Sequence, residues 1–255
     1  MSCVIGIDLG STTTKIVRLD DGTVTHSEIF RTGHEPLARV RESLERFGGD
    51  MIIATGYGRH LLAGQYGAHR ITEIKACARG VFHLMPSCRT ILDVGGQDCK
   101  VISLGDTGRV DDFEMNDRCA AGTGKFLEVM AHLFEMDIAG FTNLALEADS
   151  HARISSMCTV FAESEVVSLI TSGIPREQIA RGLHVAIADR LGVMLNRIHP
   201  KDDIVFVGGG ALNECLVDLL AKRVRHTLHR PPDPQMVIAL GAALIGSEAR
   251  DDELD

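Results

Sequence analysis

The sequence predicts an α/β fold built from two related half-domains that face a cleft. One unit occurs twice: an apolar strand ends in an aspartate, a glycine turn follows, and a second strand returns. Asp8 holds the strand end in the first copy and Asp93 holds it in the second. A third strand, at 203–207, runs into consecutive glycines and then a helix. Ligands of α/β proteins sit at the carboxyl ends of strands, so these glycine junctions predict the binding region.

Length and charge narrow the function classes. The 255 residues are 45% hydrophobic, enough for a substantial core in one large domain or two smaller ones. The net charge of -9 comes without a basic block, which makes nucleic acid and anionic membrane surfaces poor partners. A bound polyphosphate would therefore be held by backbone amides, a metal ion and a few local cations.

We expect a cytoplasmic protein with free thiols. The chain enters a strand directly, without the regions of a signal peptide, and no apolar run reaches the ~18 residues of a membrane span. The 7 cysteines are an odd number without a Cys-x-x-Cys pair, so neither a disulfide framework nor a zinc ribbon is indicated. The 11 histidines show no ligand pattern.

The turn after the first strand has the composition of a phosphate cradle. Gly10 allows a close backbone approach, Asp8 can hold hydrated Mg2+ and Lys15 adds a positive charge. The donors to phosphate would be Ser11, Thr12 and Thr13. Taken alone, this turn is explained equally well as an ordinary polar hairpin. The other predicted elements of this half are strands at 15–19, 23–30 and 51–54, a glycine loop at 55–59, and helices at 36–47 and 71–84.

The second copy of the unit strengthens the phosphate interpretation. Its turn consists of Gly95, Gly96 and Gln97. The third junction consists of Gly208, Gly209, Gly210 and Ala211. Such a strand-glycine-helix junction suits close backbone approach to a base or a ribose. Helices are predicted at 123–134, 137–148, 159–171, 175–198, 212–224 and 235–246.

Two cysteines stand directly before predicted helices. Cys119 precedes a tight turn at Gly122 and Gly124, and Cys158 precedes an apolar-periodic run. The positive end of a helix favours a thiolate, which is the form that binds metals. Each cysteine alone is explained as well by a small buried hydrophobic residue. That explanation is kept for Cys3, Cys77, Cys88, Cys99 and Cys215.

Two glutamates follow Cys158 on the same predicted helix. Glu163 and Glu165 could lie beside the cleft or at a partner surface. Charged residues on a helix are more often solvated. We therefore expect both on a solvated helix face.

The three glycine junctions resemble the two phosphate segments and the adenosine segment of the superfamily of acetate kinase, sugar kinases, heat-shock chaperones and actin. In that superfamily two ribonuclease-H-like halves close on Mg-ATP. The resemblance implies an actin-like ATPase fold with one half at 1–88, completed by a helix at 235–248, and the other half at 89–234. The implied nucleotide-binding residues are Gly10, Ser11, Thr12, Thr13, Lys15, Gly95, Gly96, Gly208, Gly209, Gly210 and Ala211.

The same resemblance implies catalytic roles. Asp93 and Gln97 would orient or activate the attacking water, and Asp8 together with Asp93 would position Mg2+ through water.

Four longer motifs resemble a narrower family, the activators of 2-hydroxyacyl-CoA dehydratases, with the ATPase subunits of benzoyl-CoA reductase as relatives. The motifs are 54–59 (ATGYGR), 93–98 (DVGGQD), 116–124 (NDRCAAGTG) and 158–165 (CTVFAESE). One departure stands in the last helix, where Ile238 replaces an expected glycine.

This narrower resemblance implies an oxygen-sensitive homodimer with one [4Fe-4S] cluster on its twofold axis. Cys119 and Cys158 of each chain would supply its four thiolates. ATP hydrolysis would drive a low-potential electron, taken from a ferredoxin or flavodoxin, to an acyl-CoA dehydratase or reductase. The acyl-CoA substrate cannot be read from the sequence.

Two alternatives without a cluster stay open. A hexosamine or pantothenate kinase of the same superfamily would need a carboxylate base beside a substrate hydroxyl. An actin-like or chaperone-like nucleotide switch is disfavoured because the chain has no room for a peptide-binding module. Brown colour after anaerobic purification would distinguish the activator from both.

Overall fold

The computed structural model describes residues 3–117, 120, 122–156, 158–201, 203–224 and 226–249. The chain divides into two compact units. The first comprises Met1–Arg89, Leu104–Asp111 and Pro231–Asp255, and the second comprises Thr90–Ser103 and Asp112–Arg230. The half-domain boundaries implied by the superfamily resemblance stay a prediction.

Both units combine strands with helices. The strands are β1 (Cys3–Leu9), β2 (Thr13–Asp20), β3 (Thr23–Arg31), β4 (Met51–Thr55), β5 (His69–Arg70), β6 (Thr90–Val94), β7 (Cys99–Leu104), β8 (Val110–Asn116), β9 (Ile204–Val207) and β10 (Leu228–His229). The helices are α1 (Pro36–Phe47), α2 (Arg59–Tyr66), α3 (Glu73–Leu84), α4 (Gly124–Leu133), α5 (Ile138–Leu146), α6 (Thr159–Thr171), α7 (Arg176–Arg197), α8 (Glu214–Arg223) and α9 (Val237–Glu248). Within the described ranges, no helix has both the length and the apolar character needed to cross a membrane.

The sheet of the first unit has the strand order β3-β2-β1-β4-β5. Its central strand, β1, pairs antiparallel with β2 and parallel with β4. Residues Val4 to Leu9 of this strand are all buried, as expected of a central strand covered on both faces. The register sets Asp8 opposite Lys15 on one side and Thr55 on the other.

Small residues let α9 pack closely within the first unit. A Cβ atom at Gly6 of β1 would lie 2.1 Å from the carbonyl oxygen of Ala239. One at Gly241 of α9 would lie 1.8 Å from the carbonyl oxygen of Ala76 on α3. Glycine is required at both contacts because any side chain would clash with backbone. Ile238, the departure from the family pattern, is buried in this helix.

The second sheet repeats the arrangement of the first, with the order β10-β9-β6-β7-β8. Its central strand, β6, again pairs antiparallel with the next strand, β7, and parallel with a later one, β9. The register sets Asp93 opposite Lys100 and Val207. Helix α7, with 22 residues, contributes many side chains to the core of this unit. The predicted α/β fold class with two related sheets is confirmed.

The structure differs from the predicted elements by a few residues at several helix ends and by three short elements that were not predicted. Helix α8 begins at Glu214 and not at Leu212, because the Asn213 side chain accepts a hydrogen bond from the Leu216 amide and caps the helix. A short 3-10 turn at Gly209–Leu212 precedes it. Helix α2 and the two-residue strands β5 and β10 were not predicted, since such short elements carry little periodicity.

Candidate functional site

Asp8 is buried at the carboxyl end of β1. Its Oδ2 atom accepts a hydrogen bond from Lys15 Nζ at 3.0 Å. Its Oδ1 atom is buried without a hydrogen-bond partner among the described residues, and so is the Oγ1 atom of Thr55, its register partner on β4. An unsatisfied buried polar atom costs about 1–3 kcal/mol. The pair therefore suits a ligand such as a hydrated cation.

The turn after β1 is tight and firmly held. A Cβ atom at Gly10 would lie 2.8 Å from the Thr13 carbonyl oxygen, so a side chain does not fit there. The hydroxyl of Thr32, directly after β3, donates to the Gly10 carbonyl oxygen at 2.8 Å and lies 3.0 Å from the Thr14 hydroxyl. Ser11 is exposed, and Thr12 and Thr13 are partly exposed. These three predicted donors are thus accessible to a ligand.

A glycine lies against the Asp8 carboxylate from the neighbouring strand. Gly56, directly after β4, has a φ of 82°, and a Cβ atom there would lie 2.5 Å from Asp8 Oδ1. Both the backbone angle and the close approach require glycine. The loop that follows carries the exposed side chain of Tyr57.

Asp93 is buried at the end of β6, in the place that Asp8 holds on β1. Its partner is Lys100, whose Nζ lies 3.3 Å from Asp93 Oδ2 and 2.9 Å from Asp98 Oδ2. The residue Lys100 is only 1% exposed. Sequence reasoning missed this lysine, although its signal was present: a lysine follows the strand-end aspartate by 7 residues in both copies.

Two of the predicted segments meet at Asp93. Gly208 has a φ of 83°, and a Cβ atom there would lie 2.5 Å from Asp93 Oδ1. A Cβ atom at Gly210 would lie 2.6 Å from Cβ of Val94. The glycine run expected to border the adenosine therefore packs against the strand end that carries the second predicted phosphate turn. Gly209 and Ala211 belong to the same 3-10 turn.

The turn that follows β6 is closed by a hydrogen bond at its base and is exposed to solvent at its tip. The Gly95 amide donates to the Asp98 carbonyl oxygen at 2.9 Å. Gly96 is partly exposed and Gln97, at the tip, is exposed. The side-chain amide of Gln97 is thus placed where it can reach a ligand bound over the turn.

The same turn is joined directly to the start of α4. The amide of Gly124 donates to the Gly95 carbonyl oxygen at 2.9 Å, and the amide of Lys125 donates to the Gly96 carbonyl oxygen at 2.7 Å. Free amides at a helix start need such acceptors. The predicted ligand Cys119, a few residues before this helix, lies outside the described residues.

Cys158 is the one exposed thiol among the six cysteines that the structure describes. It is the N-cap residue of α6, and its side chain makes no capping hydrogen bond. Val160 and Phe161, beside it on the first turn, are 67% and 66% exposed. An accessible thiol at a helix start, next to exposed apolar side chains, suits a ligand to a group shared with another chain.

The buried cysteines differ from Cys158 in their environment. Burial raises the pKa of the Cys99 thiol to about 11, and burial raises the pKa of the Cys215 thiol to about 11 as well. Both thiols therefore stay protonated at neutral pH, as expected of residues that fill space. Cys77 and Cys88 are also buried, and Cys3 is partly exposed.

Glu165 departs from its predicted position on a solvated face. Its Oε1 atom accepts hydrogen bonds from the Ser155 amide and hydroxyl, each at 2.8 Å, and its Oε2 atom accepts one from the Ser156 amide at 2.8 Å. Glu163 is exposed, as predicted. The helical spacing could not reveal the contact of Glu165, because it depends on how the preceding loop folds back on α6.

A buried polar network surrounds Asn213, the residue that follows the 3-10 turn of the second unit. The side-chain nitrogen of Asn213 donates to Thr142 Oγ1 at 2.9 Å and to Nε2 of His184 at 3.0 Å. Nδ1 of His184 donates to the Ala180 carbonyl oxygen at 2.8 Å. Burial lowers the pKa of His184 to about 4, so the ring is neutral and both nitrogens are satisfied. The network fixes the residue that ends the 3-10 turn.

A family model described as the BadF/BadG/BcrA/BcrD ATPase family matches residues 5–246. The chain belongs to this family. Its relatives include the activator of lactoyl-CoA dehydratase from Anaerotignum propionicum, which is 40% identical over 96% of this chain and 97% of its own. The 2-hydroxyisocaproyl-CoA dehydratase activator from Clostridioides difficile is 39% identical over 94% of this chain and 93% of its own.

A solved structure of a similar protein agrees with the fold. The activator of the 2-hydroxyisocaproyl-CoA dehydratase from Clostridium difficile, with bound ADPNP, superposes with a TM-score of 0.89 at 39% identity. The match covers 96% of this chain and 94% of that one. The resemblance to dehydratase activators and to the actin-like ATPase fold is therefore confirmed.

Proposed function

We propose that this chain is an ATP-hydrolysing activator that delivers a low-potential electron to a partner 2-hydroxyacyl-CoA dehydratase or benzoyl-CoA-reductase-like enzyme. The observation that carries the proposal is the pair of hydrogen bonds from Gly124 and Lys125 to the turn at Gly95 and Gly96. It joins a turn with the composition of a phosphate site to the helix that follows a metal-ligand candidate. Membership of an ATPase family supports the nucleotide end of this link, and similarity to proteins named dehydratase activators supports the proposed activity.

The nucleotide end of the proposal begins with the turn after β1. The donors in the first turn, Ser11, Thr12 and Thr13, bind phosphate oxygens with the help of Lys15. Asp8 fits hydrated Mg2+, since its buried Oδ1 atom has no partner among the described residues. When bound, the metal neutralises phosphate charge. The remaining nucleotide contacts come from Gly10, Gly95, Gly96, Gly208, Gly209, Gly210 and Ala211.

Hydrolysis is assigned to Asp93 and Gln97. Asp93 is held in place by Lys100 and by the close backbone of Gly208, so its carboxylate has a fixed direction. Gln97 is exposed at the tip of the adjoining turn. Together they would orient the attacking water, and Asp8 and Asp93 would position Mg2+ through water, as the superfamily resemblance implies.

The redox end uses Cys119 and Cys158 from each of two chains. A [4Fe-4S] cluster usually takes four thiolates and each chain offers two candidates, so a second chain would supply the other two. Cys158 fits this role because it is exposed and stands at a helix start. When bound, a [4Fe-4S] cluster supplies a one-electron carrier that a ferredoxin or flavodoxin can reduce.

Coupling follows from the shared hydrogen bonds. Binding or loss of phosphate shifts the Gly95 to Gln97 turn. The amides of Gly124 and Lys125 follow their acceptors, and the start of α4 moves with them. Cys119 precedes this helix by 5 residues in the sequence, so the movement would carry to one thiolate on each chain.

Anaerobic reconstitution tests the proposal. Wild-type protein should be a brown homodimer with one cluster per two chains and ATPase activity. Cys119→Ser and Cys158→Ser should each be colourless, whereas Cys3→Ser, which removes a thiol assigned no role, should keep the colour. An unchanged cluster spectrum in either ligand variant would be fatal to the assignment. An iron-free monomer that consumes ATP only with a hexosamine or pantothenate would select the small-molecule kinase instead.

A further inference from the structure

We infer that Glu165 is a positioning residue that fixes the segment leading into Cys158. The inference rests on the proposed role of Cys158 as a cluster ligand. It concerns a carboxylate that neither ATP hydrolysis nor metal ligation uses.

Glu165 holds the loop before Cys158 by hydrogen bonds to Ser155 and Ser156, and we call this arrangement the clamp. It lies on the second turn of α6 and reaches back to the residues before Cys158. Both of its oxygens are engaged, with three hydrogen bonds at 2.8 Å from Ser155 and Ser156. Two of the donors are consecutive backbone amides in a segment without helix or strand. Binding two successive amides sets the orientation of the peptide planes and hence the direction of the chain.

The clamp is charged at neutral pH. Partial burial raises the pKa of Glu165, but the hydrogen bonds from Ser155 and Ser156 outweigh it and hold that pKa below its ordinary value. Hydrogen bonds to an ionised carboxylate are roughly twice as strong as neutral ones. The segment is therefore held more firmly than a neutral side chain could hold it.

The loop before Cys158 has one further backbone anchor of this kind. The Ala152 amide donates to the Gln178 carbonyl oxygen at 2.9 Å, at the start of α7. Between that anchor and the helix, Ile154 packs against the hydrophobic core and Glu165 supplies the hydrogen bonds to Ser155 and Ser156. A ligand at a helix start needs such restraint, because sub-ångström placement decides whether a shared site forms.

The chain offers a matched control for Glu165. Glu163 stands two residues earlier on the same helix and is exposed. Within the described part of the chain it makes no hydrogen bond or ion pair. Glu163→Gln and Glu165→Gln therefore remove the same charge from the same helix, and only the second removes the clamp. Glutamine keeps the size of the side chain but turns one acceptor into a donor that faces the Ser156 amide.

Amide hydrogen exchange on the cluster-free protein tests the contact itself. We expect the amide of Ser156 to exchange at least about tenfold faster in Glu165→Gln than in wild type, because it loses its acceptor. The Ser155 amide, which keeps a neutral acceptor, should show a smaller increase. Glu163→Gln should match wild type. Ser155→Ala, which loses the hydroxyl donor alone, should fall between them. Unchanged exchange in Glu165→Gln would overturn the inference.

Cluster retention tests the positioning role. The reconstituted Glu165→Gln dimer should release iron to a chelator about 10–100-fold faster than wild type, the usual cost of losing a group that orients a metal ligand. Its visible circular dichroism, which reports ligand geometry, should also change. Glu163→Gln should retain wild-type release and spectrum. Faster amide exchange with unchanged release and spectrum would reduce Glu165 to a structural residue and contradict the inference.

The proposed function and the inference about Glu165 can be disproved separately. If Cys158→Ser retains a normal cluster, the ligand assignment is wrong, and the positioning role of Glu165 falls with it even when the exchange data show the clamp. If Cys158→Ser loses the cluster while Glu165→Gln behaves like Glu163→Gln, the proposed function stands and the inference about Glu165 alone is wrong.

Discussion

The two units share one strand-turn geometry but use its lysine differently. In the first, Lys15 pairs with Asp8 and its side chain is 15% exposed. In the second, Lys100 lies between Asp93 and Asp98 with its side chain 2% exposed. Thr13 holds the position in the first turn that Asp98 holds in the second, 5 residues after the strand-end aspartate. The added carboxylate draws the lysine inward, so we infer that Lys15 is available to phosphate and Lys100 serves Asp93.

The second unit also carries the elements that we propose to be linked to redox chemistry. Helices α4 and α6, whose starts follow Cys119 and Cys158, have no counterpart between the corresponding strands of the first unit, β3 and β4, which enclose α1 alone. Under the proposed function, the shared part of the repeat would serve nucleotide binding and hydrolysis, and the added helices would serve the cluster.

Replacing each lysine by methionine should give the largest difference in stability loss between the units. Lys100→Met leaves two carboxylates without their buried ammonium partner and should cost about 3–5 kcal/mol of unfolding free energy. Lys15→Met should cost about 1 kcal/mol, as its pair is closer to solvent, but should weaken nucleotide binding. Denaturant unfolding and nucleotide titration measure the two effects. Equal stability losses would contradict the division of roles between the lysines.

Acid should loosen the second unit before the first. The folded pKa of His184, about 4, lies below its unfolded value of 6.5, so the unfolded state binds the extra proton between these pH values. The stabilisation is complete above pH 6.5 and is lost as pH falls toward 4, with a total of about 3 kcal/mol.

Hydrogen exchange of β6 and β1 between pH 7 and pH 4.5 measures this difference. His184→Gln removes the titrating ring and should flatten the response of β6. A response of β6 that persists in this variant would show that another group causes it.

A smaller loss of stability, similar in the two units, is expected when the glycines beside the aspartates are replaced by alanine. Gly56→Ala and Gly208→Ala each place a methyl group near a carboxylate oxygen at a positive φ. Gly173 has a φ of 78° with nothing within 4 Å of an added Cβ, so Gly173→Ala measures the backbone cost alone. We expect that cost to be about 1–2 kcal/mol and the other two variants to lose more.

Thermal unfolding and Mg-ATP titration check this comparison. Gly56→Ala and Gly208→Ala should both weaken Mg-ATP binding, whereas Gly173→Ala should not. If all three variants lose equal stability and bind the nucleotide normally, the close approach of Gly56 and Gly208 to the aspartates does not affect nucleotide binding.

Much of this could be predicted from local sequence, because the repeat places Asp8 and Asp93 at strand ends and fixes the turns beside them. Cys158 at a helix start follows from spacing in the same way. Lys100 was missed because it stands alone within an apolar strand, where a lysine is easily assigned to solvent. Its position relative to Asp93, copied from Lys15 and Asp8, was the usable signal.

Contacts made by loops that fold back on the chain could not be predicted from the local sequence. Glu165 has the spacing of a solvated helix residue, and only the path of the loop before Cys158 brings two amides to it. Asn213 likewise caps a helix that apolar periodicity alone starts earlier, at Leu212. In both cases a polar side chain satisfies backbone amides, which periodicity does not record.

The central claim is that nucleotide hydrolysis and cluster binding are separate chemistries joined through the Gly95 to Gln97 turn. Asp93→Ala tests it most directly, with ATP turnover and the cluster absorption spectrum measured on the same anaerobic preparation. We predict that turnover falls at least about 100-fold, as for the loss of a transition-state contact, while the cluster spectrum stays that of the wild type. Loss of the cluster together with turnover, or turnover that survives, would contradict the account.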